Sequence, residues 1–425
     1  MRALTAIFTL SIGLGLAGCS GLGEEPAASD SDSDPARVGS DEAEFVVGEP
    51  HGNGSDPMAH ISYLASEGLN GRDSPSAGLD KAAEYVKTHL TNHGLTGPNP
   101  ADVNGPYAQT FTISTFGATE EGHAHRHDAG DEVGYGVDLF EEGFFLDDQM
   151  SPTAHGALAR QYEKAMKAVG KGVAPLESGA LRPLREMQSA ASLAGTAQNV
   201  MGKLQGTGAN SNEVILVMAH LDHIGIAAGG AVYNGADDNA SGSATILSAI
   251  PGLVAVKQAG QLNRSVLFLW TAAEEKGLVG AQYFLDHPIA GIGLANIAGV
   301  LNLDMVARWD DQRLSVIDTN TSGTANYFRN ILTSANATLA DPFNTLNRDI
   351  NSYIDRQDGW VFLNAGEDVL FVFEGLSNPA GGGSLIPEYH ATGDDIDKII
   401  ADNGGNKPRR VRDLLVEVVK QAANR

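Results

Sequence analysis

The segment Ser265–Ala273 (Ser-Val-Leu-Phe-Leu-Trp-Thr-Ala-Ala) is almost wholly apolar and stops abruptly at Glu274-Glu275. A strand with one wet face alternates apolar and polar side chains. An unbroken apolar run belongs to a strand covered on both faces, as in a parallel sheet between helices. Its surroundings agree. Val200–Leu204, Val214–His220, Val300–Val306, Leu314–Asp318 and Val369–Phe373 have strand character. Gly242–Val256, Leu278–Leu285 and Arg409–Ala423 have helical character, and Pro251 is expected to kink or split the first of them. Upstream, Ile61, Leu64 and Ala65 start a helix, Ala82, Tyr85, Val86 and Leu90 form one stripe of a second, and Tyr107–Ser114 alternates like a strand. Strands alternating with helices predict an α/β fold: a mostly parallel, mixed central sheet between helix layers. Ligands gather at the carboxyl ends of such strands.

A chain of 425 residues suits one large domain or two average ones. With 28 Lys and Arg against 53 Asp and Glu, the net charge of −25 argues against a nucleic-acid partner, which needs a basic face. The single cysteine, Cys19, excludes an intrachain disulfide framework and a thiolate-rich zinc site, so any metal centre must use His, Asp and Glu. Cys19 closes Leu16-Ala17-Gly18-Cys19 after a basic start and the uncharged run Ala3–Gly18. That run, at about 16 residues, is short for a membrane span and fits a secretory core. The stretch resembles a bacterial lipoprotein signal. This implies removal of residues 1–18, acylation of Cys19 and a lipid anchor in a bacterial cell envelope, in the outer membrane by the following Ser20, facing periplasm or exterior. Residues 19–57 have the composition of an acidic, disordered tether. The folded domain is expected over 58–425.

Five polar segments punctuate that domain. His220 and Asp222 end a strand, two apart and therefore on one face; a carboxylate beside an imidazole orients it and raises its basicity. Asp237-Asp238 sits between glycines where a helix opens. Glu274-Glu275 leaves the buried strand. Asp304 interrupts an apolar strand, which is costly unless the acid is paired or metal-bound. Tyr389-His390 follows a glycine-rich loop. Each segment alone has an ordinary explanation as a turn, a cap or a solvated strand end.

Together and in this order, His-x-Asp, Asp-Asp, Glu-Glu, Leu-Asp-Met and Tyr-His resemble the di-zinc exopeptidases of peptidase clan MH, in particular the bacterial leucyl aminopeptidase-like branch. The resemblance covers about Asp56 to Ile113 and Gln198 to the C-terminus. It implies the phosphorylase/hydrolase-like zinc exopeptidase fold and two zinc ions: one on His220 and Asp304, the other on Glu275 and His390, with Asp237 bridging. It further implies Glu274 as general base, Asp222 as support for His220, Tyr389 as an oxyanion contact and a cis peptide between Asp237 and Asp238. The sequence departs from the family's Ser-Asp-His at Gln357-Asp358-Gly359. The function so implied is a zinc-dependent aminopeptidase removing N-terminal residues from peptides. A carboxypeptidase of the glutamate-carboxypeptidase type, a glutaminyl cyclase and a non-catalytic lipoprotein binding module are the alternatives.

Residues 116–194 break the α/β rhythm and are expected to be an insertion with helical halves (157–169 and 181–193), either a lid over the site or a decoration elsewhere. Its His123, His125 and His127 fit a solvated loop, and His223 a position beside the ligands.

Overall fold

The computed structural model describes residues 54–113, 132–133, 195–227, 229–289, 291–348, 350–376 and 384–425. Cys19, nearly all of the tether, the histidine-rich loop and both helix-prone halves of the insertion lie outside the described residues.

Nine strands form one sheet among the described residues: β1 (Ala108–Ile113), β2 (Glu132–Val133), β3 (Gly195–Leu204), β4 (Val214–His220), β5 (Ser265–Thr271), β6 (Ile297–Leu303), β7 (Arg313–Ile317), β8 (Thr345–Asn347) and β9 (Val369–Phe373). Their order is β2-β1-β3-β5-β4-β6-β9-β7-β8. The central strands β5, β4, β6 and β9 pair in parallel, so their carboxyl ends share one edge. Antiparallel pairings flank them, β1–β3–β5 on one side and β9–β7 on the other. The apolar runs have the predicted cause: every residue of β4 and β5 is buried. On β4, Ile215, Val217 and Ala219 enter one apolar cluster, and Val214, Leu216 and Met218 enter another on the opposite face. The period of two thus separates two cores.

The first core lies under α1 (Pro57–Leu64), α2 (Ala77–Asn92), α3 (Gly242–Gln258), α5 (Phe328–Thr338) and α8 (Asn406–Ala423). The second lies under α4 (Val279–Asp286) and α6 (Gly359–Asn364). A further helix, α7 (Ile396–Asn403), precedes α8. Truncating a buried aromatic such as Phe268 is expected to cost about 3–5 kcal/mol, because the packed sheet cannot collapse around the void.

Three details differ from expectation. Pro251 lies inside an unbroken α3, whose buried face (Ile246, Leu247, Ile250, Leu253) holds the helix through the missing hydrogen bond. The fold begins before residue 58: Asp56 accepts from the Met58 amide at 3.2 Å, caps α1 and pairs with Arg409 at 3.0 Å. Within the expected insertion, residues 132–133 form β2 and pair with Thr112 and Ile113.

Candidate metal centre

The carboxyl-edge loops of the parallel strands carry the polar segments to one place. His220 is the last residue of β4. Glu274 and Glu275 follow β5 after a turn in which Ala273 has φ 57°. Asp304 directly follows β6 and is followed by Met305 at φ 50°. His390 itself has φ 51°. Non-glycine residues rarely take such angles, and here each lies at or beside a polar residue of the cluster.

The bridging residue predicted from the sequence is corrected. Asp238, not Asp237, lies between the two imidazoles. Its Oδ1 is 3.3 Å from His220 Nε2 and its Oδ2 is 3.0 Å from His390 Nε2. His220 Nε2 is also 3.3 Å from Asp304 Oδ1, and His390 Nε2 is 3.1 Å from Glu275 Oε2. Asp237 points the other way: its Oδ1 accepts from the Ala307 amide at 2.9 Å. The cis peptide is likewise one step later than expected, between Asp238 and Asn239. The chain opens α3 through an irregular turn at Ala236–Ser241, in which Asp238 and Asn239 leave the helical region.

His223 joins this group as a buried residue, its Nδ1 2.8 Å from Glu275 Oε1. Asp222 carries its carboxylate 3.9 Å from His220 Nδ1, while its backbone carbonyl is nearer, at 3.2 Å. Its Oδ1 accepts the Glu274 amide N–H at 3.2 Å, tying the β4 exit to the β5 exit. Tyr389 stacks on the His390 ring with centroids 4.0 Å apart and lines the cleft.

Ligand-type atoms of His220, Asp238 and Asp304 lie within 4.8 Å of one another, and so do those of His223, Asp238, Glu275 and His390. Nitrogen and oxygen donors without thiolate, with one carboxylate offering an oxygen to each side, suit a pair of zinc ions. Electrostatics separates the two adjacent glutamates. Burial raises Glu275, but His390 and His223 pull it down to about 2. Burial raises Glu274 well above the ordinary range despite His220, and the Glu275, Asp358 and Asp304 carboxylates add to the rise. Of the two, Glu274 has the greater affinity for a proton.

Several groups invisible in the sequence hold the centre from behind. The buried Asp394 accepts amide N–H bonds from Asp237 and Asp238, each at 3.0 Å, so the loop after His390 grips the bridging segment. Arg72 is fully buried and donates to the carbonyls of Leu64, Leu221, Asn234 and Gly235. The Glu374 carboxyl lies beside that of Asp237. Beneath them, Lys407 Nζ donates to the carbonyls of Arg308 at 2.8 Å and Glu374 at 2.7 Å.

The departure at Gln357 and Gly359 is internal. Gln357 Oε1 accepts from Asn302 Nδ2 at 2.8 Å, and a Cβ on Gly359 would stand 2.5 Å from that same oxygen. The neighbouring Arg356 borders the cleft instead. Asp358 is buried and accepts from the Thr271 hydroxyl.

The model of peptidase family M28 matches residues 199–415. A probable leucine aminopeptidase of Arthroderma otae is 30% identical over 240 residues, which are 50% of this chain and 61% of that protein. Leupeptin-inactivating enzyme 1 of Streptomyces exfoliatus is 36% identical over 100 residues, 23% of this chain and 20% of that one. The chain thus spans less than two thirds of the length of these relatives. Among solved structures, the zinc aminopeptidase BSAP from Bacillus subtilis superimposes with a TM-score of 0.55 at 18% identity, covering 88% of this chain and 96% of that one. The aminopeptidase of Aneurinibacillus sp. strain AM-1 gives 0.52 at 16% identity, covering 87% and 94%.

Proposed function

Because this chain belongs to peptidase family M28, we propose that it is a zinc-dependent aminopeptidase that removes N-terminal residues from peptides. The observation that carries the reading is the Asp238 carboxylate shared between His220 and His390, with Asp304 and Glu275 completing the two sides. In this reading His220, Asp238 and Asp304 hold one zinc ion, and His390, Asp238 and Glu275 hold the other. When bound, such ions lower the pKa of water and polarise a carbonyl.

The protein's own part is positioning and proton transfer. Glu274 borders the cleft and takes a proton from the water that adds to the scissile carbonyl carbon. As the C–N bond breaks, it delivers that proton to the leaving amine. Asp222 holds the Glu274 amide, and Tyr389, which lines the cleft, donates to the carbonyl oxygen as charge develops there. The proposal extends to the N-terminus: Cys19 is acylated, and the acidic stretch after it tethers the domain to a bacterial envelope membrane.

Metal analysis and hydrolysis of leucine anilide, with and without chelator, test the reading. About two zinc ions per chain and chelator-sensitive hydrolysis are expected. Glu274→Gln should keep its zinc and lose at least about 10²-fold in kcat. A metal-loaded protein that cleaves only amino-blocked peptides would replace it with a carboxypeptidase.

A further inference from the structure

The exit of β4 carries a second histidine that the proposed function does not use. His223 follows His220 and Asp222 and is fully buried. Its backbone amide donates to the Arg72 carbonyl at 3.2 Å. Its ring lies against Gly235, where a Cβ would stand 2.6 Å from the ring carbon Cδ2, and meets the His390 ring edge-on with centroids 5.6 Å apart. Nδ1 is 2.8 Å from Glu275 Oε1 and 3.8 Å from Asp238 Oδ2. Glu275 thus divides its oxygens: Oε2 faces His390 and Oε1 faces His223.

Distance alone permits two roles for such a ring, metal ligand or donor to Glu275. The other ring nitrogen decides between them. A histidine that binds a metal gives its remaining N–H to an acceptor. His220 has that pattern, with Nε2 toward Asp238 and Asp304 and Nδ1 3.2 Å from the Asp222 carbonyl. His223 lacks it: among the described residues, its buried Nε2 has no hydrogen-bond partner. A ligating Nδ1 would leave a proton on Nε2 with no acceptor, which folded proteins avoid. With the proton on Nδ1, it lies in the 2.8 Å contact and Nε2 keeps only a lone pair. A carboxylate accepts and cannot donate, so that bond runs from Nδ1–H to Oε1. The β4 exit then holds both glutamates, Glu274 by its amide through Asp222 and Glu275 by its side chain through His223.

Resting on the two-zinc part of the proposed function, we propose that His223 is a positioning residue, which holds Glu275 by Oε1 and leaves Oε2 for the ion shared with His390. Zinc affinity, read by competition with a chelator, tests it on two variants. His223→Leu keeps bulk without a donor. It should weaken one of the two ions by about 10–100-fold, the usual size for groups that orient ligands, and leave the other within about threefold. His223→Asn brings an amide N–H to the place of Nδ1 and should stay within about threefold of the parent for both ions, since an amide still donates to a carboxylate.

A Leu variant that binds both ions like the parent would overturn the proposal. So would an Asn variant that loses an ion about tenfold or more, the result expected of a ligand. Where the Leu variant does not fold, the Asn variant alone decides. Hydrolysis of leucine anilide separates this proposal from the activity: the expected zinc pattern in a chain that cleaves no anilide supports the role of His223 and sinks the aminopeptidase reading alone.

Discussion

Two acid-rich regions meet at the peptide joining Asp237 to Asp238, and they solve the same electrostatic problem in different ways. In front, Asp238, Asp304 and Glu275 face imidazole nitrogens at 3.0–3.3 Å, an arrangement that leaves lone pairs converging on two points. Behind, Asp237, Glu374 and Asp394 are equally buried, yet they are answered by backbone amides and the buried cations Lys407 and Arg308. Asp237 Oδ2 and Glu374 Oε1 are both buried acceptors that no donor reaches. Burial beside Asp237 pushes Glu374 well above the ordinary range, and a proton held there would satisfy both. The contrast separates acids that bind from acids that hold the binders in place.

The largest effect should come from the front. Asp238→Asn offers only one good acceptor to two partners and should lower kcat/KM by about 10³-fold or more, with zinc content falling from two ions per chain. Retention of both ions and near-parental turnover would erase the distinction between the two regions. Next is Lys407→Met, which leaves two buried carbonyls without their charged donor. It should cost about 3 kcal/mol of stability in a denaturant titration, while zinc-saturated kcat on leucine anilide stays within a few fold. Asp237→Asn should be milder, about 10–100-fold in zinc affinity, the usual size for groups that orient ligands. Smallest is Glu374→Gln, which replaces an acid whose burial favours its neutral form with an amide that can still donate to Asp237. Melting temperature and turnover should barely move, and a large loss would show that Glu374 is ionised.

The fold was legible because its signals are redundant. Apolar runs such as Ser265–Thr271 and the two-fold period of Val214–His220 are imposed by many side chains at once. Short elements escaped: α6 and β8 hold only 6 and 3 residues, too few to show a period. At the site, the segments were legible and their register was not. Asp237 and Asp238 are chemically identical neighbours, and which one faces forward is set by the irregular turn at Ala236–Ser241 rather than by either residue type. Asp394 lies only four residues past His390, yet nothing in that segment marked it apart from Tyr389-His390. Arg72, Glu374 and Lys407 gave no signal, because a buried charge is recognised by its partners and those are distant in sequence.

The order of the strands also has a consequence for the life of the chain. The cluster draws on positions from His220 to His390, with β9 docking beside β6 from far downstream. Contacts so far apart form late, after long loops have closed. During synthesis the earlier strands are able to pair before His390 or Lys407 has left the ribosome. A nascent or truncated chain ending short of His390 holds half a centre: Asp238 with a single imidazole opposite, and nothing gripping its amides. The topology therefore leaves the cluster incomplete until synthesis has passed His390.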